Sequence, residues 1–175
     1  MAYVINKIEE TINKKIDFNV YSDEKDKEII EKLKNNESIN YKGYIDSKNI
    51  KDAMKNSDIL LHIESFDPIN IEMIKYSIST KIPDSLASGR ILLIYAPKEI
   101  ACTKYIEENE VGIVANNQEK LQQEILRILD GKIDIEDILK KAQELVENRH
   151  RCDRTYEILN RIGEKNNSED EGTTN

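Results

Sequence analysis

The residues of this chain with the clearest capacity for chemistry lie in one stretch, Ser79-Thr-Lys-Ile-Pro-Asp-Ser-Leu-Ala-Ser-Gly89. Ser/Thr and Pro at its start and Gly at its end are the punctuation of a short helix. The opening turn of a helix presents backbone N–H groups without intrahelical partners and the positive end of the dipole. The amides of Ser79, Thr80 and Lys81, with the Lys81 ammonium beside them, therefore read as a seat for a phosphate-bearing anion. A cation at a helix start opposes the dipole unless an anion is close, which favours this reading of Lys81 over a plain solvated lysine. Asp84 leaves two readings open: an acceptor for ligand hydroxyls, or an acid that complements the first helical turn. His62 ends an apolar run and reads as a partly buried structural residue before it reads as a general base. His150, in Glu147-Asn-Arg-His-Arg151, reads first as a residue that favours a helix C-terminus. Tyr44 and Tyr76 are ordinary half-buried aromatics unless a ligand lies beside them.

These residues need a scaffold, and the composition bounds it. The chain has 175 residues, 38% hydrophobic and 34% charged, which suits one soluble domain with a core of its own. No window approaches the roughly 20 apolar residues of a membrane span, and Met1 to Lys15 is amphipathic rather than a signal peptide, so the expected compartment is the cytoplasm. Cys102 and Cys152 sit in no Cys-x-x-Cys or Cys/His pattern, so the sequence offers no disulfide framework and no zinc site. A net charge of -8 works against binding a nucleic-acid backbone, yet a small phosphate-bearing ligand needs only a locally positive pocket.

Period and punctuation then give the elements. Helices are expected over Ile5–Lys15, Glu24–Asn35, Ser47–Lys55 with Ser47 as N-cap, Glu99–Asn109, Gln118–Leu129, Ile135–Val146 and Tyr156–Ile162. Strands are expected at Ile16–Tyr21, Ile39–Tyr41, Asp58–Ile63, Ile91–Tyr95 and Val111–Val114, with a turn at Gly43 and a polar loop over Glu64–Asn70. The run Asp58-Ile-Leu-Leu-His-Ile63 is apolar on both faces, as a buried parallel strand would be. Strands alternating with helices predict an α/β fold, a Rossmann-like doubly wound parallel sheet with helices on both faces and extra C-terminal helices. Residues 1–163 form the expected domain, and 164–175, polar and acidic, the expected disordered tail.

Over about a hundred residues the order of motifs resembles the C-terminal, donor-binding half of retaining GT-B glycosyltransferases, a broad family of bacterial surface-polysaccharide and glycolipid enzymes. The resemblance is carried by Tyr41-Lys-Gly-Tyr44, Ser57-Asp-Ile-Leu-Leu-His62, Ser79 to Asp84, Leu86-Ala-Ser-Gly89, Arg90 to Ile94, Ala96-Pro97 and Tyr105 to Asn109 before Gly112. It implies a nucleotide-diphospho-sugar as donor substrate, with the diphosphate at Ser79, Thr80 and Lys81. It further implies a ribose contact at Asp84, where the family carries Glu, and a base that stacks on Tyr44. No organic cofactor and no bound metal are implied. The family's first donor-sugar carboxylate would fall at Tyr76, eight residues before Asp84, so Glu64, Asp67 or Glu72 in the preceding loop is left as the possible acid.

The resemblance implies hexosyl transfer to a glycan or glycolipid, with the acceptor bound by an N-terminal domain or subunit outside this chain. The usual first strand of the donor half is likewise expected before Met1. On that reading the 175 residues alone bind a donor and turn over little, because rate depends on holding donor and acceptor together. Two alternatives stay open: one subunit of a split glycosyltransferase, and a non-catalytic Rossmann-like interaction or sensor module.

Overall fold

A computed structural model describes residues 1–150 of the chain. In chain order the described residues form α1 (Ala2–Ile12), β1 (Asn19–Tyr21), α2 (Lys27–Lys34), β2 (Asn40–Gly43), α3 (Ser47–Lys55), β3 (Ile59–Ile63), α4 (Pro68–Ile74), α5 (Lys81–Ala87), β4 (Ile91–Tyr95), α6 (Ala101–Asn109), β5 (Ile113–Ala115), α7 (Gln118–Leu129) and α8 (Ile135–Arg149). The expected helix over Tyr156–Ile162 and the expected tail lie outside the described residues.

All strand pairs among the described residues are parallel, as the alternation of strands and helices requires. They divide into two sheets: β1 beside β2, and β3-β4-β5 with β4 at the centre. Every residue of β3 has a partner in β4, from Ile59 opposite Ile91 to Ile63 opposite Tyr95. The expected doubly wound arrangement holds around β4, whose successive side chains point to opposite faces. Leu92 and Ile94 enter one core with Ile82 and Leu86 of α5, Ile106 of α6 and Leu145 of α8. Ile91 and Leu93 enter the other, with Val4 and Ile8 of α1 and Leu121, Ile125 and Ile128 of α7. The α/β, Rossmann-like class is thus established by helices packed on both faces of a parallel sheet. The apolar stripe of α8 finds its partner surface within the chain, against α5 and β4.

Three local expectations are corrected. The N-cap of α3 is Asp46, whose carboxylate accepts the Lys48 N–H at 2.9 Å, rather than Ser47, which begins the helix itself. The stretch Glu64–Asn70 is not all loop: Asp67 caps α4 by accepting the N–H groups of Ile69 and Asn70, and Pro68 takes a first-turn position where no N–H is needed. Finally, β3 is only half-buried, in contrast to β4; the other edge strand, β5, is buried throughout because α6 and α7 pack on it, whereas the main packing partner of β3 among the described elements is β4.

Candidate functional site

The carboxyl ends of β3, β4 and β5 form the rim on which a parallel sheet presents its ligand site. At this rim the Glu64 N–H donates to the Tyr95 carbonyl at 3.1 Å, extending the β3–β4 ladder by one bond. The Phe66 ring tilts against Tyr95 with centroids 4.8 Å apart. The Ala101 N–H donates to the Lys75 carbonyl at 2.8 Å, fastening the start of α6 to the segment that follows α4.

Helix α5 is the element that carries the predicted anion seat. With seven residues it is too short to be stable alone, so burial must hold it. Ile82 and Leu86 supply that burial, each worth about 1.5–3 kcal/mol. Only Ser88, Gly89 and Arg90 separate α5 from β4, so its last turn sits at the amino end of the strand. Gly89 makes this reversal with φ of 72°, a left-handed conformation that a side chain would strain. The first turn of α5 lies about 10 Å from that end along the helix.

There the buried Ile82 anchors a turn whose other residues face outward: Thr80, Lys81 and Asp84 are exposed and Ser79 is half-buried. The helix begins at Lys81, so Ser79 and Thr80 precede it. Thr80 occupies the cap position with helical dihedrals and makes no side-chain capping bond. The Ser79 hydroxyl accepts the Lys81 N–H at 3.4 Å, and the Ser79 carbonyl accepts the Ile82 N–H at 3.0 Å. The Lys81 amide is therefore already lightly engaged by a neighbouring hydroxyl.

The remaining predicted residues divide. Tyr76 is 85% exposed, beside the Lys75 ammonium, in the segment between α4 and α5. Tyr44 is also exposed but follows β2, on the two-stranded sheet rather than the one that carries α5. Of the three candidate acids, Asp67 is spent on capping α4 and Glu72 pairs with Lys75 at 3.3 Å. Glu64 stands on the rim itself, with Oε1 2.8 Å from His62 Nε2.

That pair belongs to a cluster that sequence spacing did not disclose. His62 and Glu64, two apart in extended chain, share a face with Leu60, which packs on the α5–α6–α8 core. Cys102, in the first turn of α6, brings its sulfur to the same place, so that ligand atoms of His62, Glu64 and Cys102 all lie within 4.8 Å of one another. Burial pushes the Cys102 thiol above its ordinary pKa, and the Glu64 carboxylate adds to the push. The one available signal was the His-x-Glu alternation at a strand end; the cysteine lies too far along the chain for spacing to join it. His150, by contrast, has the structural place expected of it. It caps α8 through its N–H to Val146, and its Nε2 meets the Tyr105 hydroxyl at 2.7 Å.

Among the described residues no helix is long and apolar enough to cross a membrane. No curated protein matches the chain. A protein-family profile described as glycosyl transferase-like matches residues 4–160. That span takes in both faces of the β3-β4-β5 sheet, α5 and the rim, and the arrangement agrees with a glycosyltransferase C-terminal domain. Parallel architecture, rim and profile together establish that this chain belongs to the glycosyl transferase-like family.

Proposed function

We propose that this chain is the donor-binding domain of a glycosyltransferase, taking a nucleotide-diphospho-sugar at the carboxyl rim of the β3-β4-β5 sheet. The observation that carries the reading is the first turn of α5: an exposed ammonium and an exposed carboxylate one turn apart, on a helix start locked by Ile82. Membership of the family supports it, since sugar transfer needs an activated donor.

The roles follow from chemistry. The Lys81 ammonium and the amides before it bind the diphosphate, while Asp84 accepts hydrogen bonds from ribose hydroxyls and Tyr44 stacks on the base. In transfer, the bond between the sugar's anomeric carbon and the phosphate oxygen breaks, and negative charge grows on the departing diphosphate. A cation and amides placed there stabilise that charge more than they stabilise the intact donor. Ser79 and Thr80 contribute amides and hydroxyls to the same seat. Glu64, on the rim, is the acid best situated to meet the sugar, with Tyr76 on the opposite side of α4 from it in sequence.

Calorimetric titration with UDP- and GDP-sugars tests the proposal. Binding is expected for at least one donor, with Lys81→Ala weakening it roughly tenfold to a hundredfold, as loss of a charge-assisted hydrogen bond does. No heat with any donor, or unchanged affinity in Lys81→Ala, sinks the reading.

A further inference from the structure

We infer that His62, Glu64 and Cys102 form a binding site for one thiophilic divalent cation, such as zinc(II), where β3 meets the first turn of α6. Imidazole nitrogen, carboxylate oxygen and thiolate sulfur are the donors such a cation takes, and three protein ligands with a fourth position open is a common zinc arrangement. The inference does not rest on the proposed function, although it uses Glu64, the acid assigned there to the sugar.

Geometry carries it. Around tetrahedral zinc, N, O and S ligand atoms stand about 3.4–3.7 Å apart, given metal–ligand lengths of about 2.0–2.3 Å. The three ligand atoms here already lie within 4.8 Å of one another, and His62 and Glu64 are in contact at 2.8 Å. Closing on a cation thus needs the histidine and carboxylate to part slightly and the sulfur to approach by about 1 Å, which side-chain torsions supply.

The backbone under the site is fixed on both sides. Ladder bonds to β4 hold His62, and the Glu64 N–H bond to Tyr95 holds the next ligand. Cys102 lies between two anchored residues: the Ala101 N–H donates to Lys75, and the Thr103 hydroxyl donates to the Pro97 carbonyl at 2.8 Å. The His62 and Glu64 side chains retain 13% and 23% of their exposure, while Cys102 is buried. The two partly exposed groups are the side from which a cation would reach the buried sulfur. Charge also balances: a thiolate and a carboxylate offset two positive charges, leaving a neutral assembly at a half-buried place.

The test uses the full chain, stripped of metal and without nucleotide-sugar, titrated with zinc(II) against a chromophoric chelator and separately with cobalt(II). We expect one equivalent bound, a raised unfolding midpoint, and a cobalt spectrum with a thiolate charge-transfer band and tetrahedral d–d bands. Cys102→Ser should abolish the charge-transfer band, Glu64→Gln should weaken zinc binding tenfold or more, and Cys152→Ser should leave both unchanged. If Cys102→Ser does not fold, the wild-type cobalt spectrum and Glu64→Gln decide. Absence of stoichiometric binding, no thiolate band, unaltered affinity in Glu64→Gln, or loss of the site in Cys152→Ser overturns the inference. Donor titration is a separate measurement, so either proposal can fail without the other.

Discussion

Glu9 holds the exit of α1 with both carboxylate oxygens: Oε1 accepts the Ile16 N–H at 2.7 Å, and Oε2 meets the Lys15 ammonium at 3.1 Å. The backbone bond, helped by Lys15 and opposed by desolvation, holds the Glu9 carboxyl below its ordinary range. A depressed folded-state value means the charged form stabilises the fold above the unfolded value. That contribution is lost as pH falls through the folded one. Glu9→Gln keeps an acceptor for Ile16 but not the charge. Denaturation midpoints measured down an acidic series should therefore show wild type ahead at neutral pH and the gap closing below the usual carboxylate range. A gap that stays constant with pH would contradict the assignment.

Helix α3 depends on its first turn more than on burial, for none of its residues is fully buried. Asp46, one residue before the expected cap, satisfies the Lys48 N–H. Asp46→Ala should cost about 1 kcal/mol, the usual worth of a cap, and Ser47→Ala should cost little, since a first-turn Ser gives up no capping bond. Chemical denaturation of the two variants separates them, and the reverse order would reassign the cap. The C-terminal side of the helix is tied to the sheet by the Arg90 guanidinium, which donates to the Lys55 carbonyl.

The two cores meet at β4, and the chain passes close to it at Gly112, just before β5. A Cβ there would stand 2.8 Å from the Leu92 carbonyl oxygen and 3.0 Å from Ile106 Cγ2. One neighbour is backbone of the central strand and the other is a fully buried side chain of α6, so neither yields without disturbing packing. Gly112→Ala should destabilise the fold by about 1–3 kcal/mol, read as a lowered thermal midpoint. An unchanged midpoint would show that β5 can shift away from β4 at no cost.

The succession of strands and helices was legible because β4, α7 and the core face of α8 carry their periodicity in consecutive residues. The turn that opens α5 was legible for the same reason: Ser79, Thr80 and Lys81 are consecutive, and the punctuation of a helix start is local. What sequence could not decide were relations across the fold. The strands split into two sheets, β3 lies at the side of its sheet, and Tyr44 follows a strand that α5 does not share. The cluster of His62, Glu64 and Cys102 is the sharpest instance. Its members are joined only because β3 pairs in register with β4 and the connection Ala96 to Ile100 leads from β4 into α6, so that strand pairing, and no spacing along the chain, brings the sulfur to the imidazole and the carboxylate.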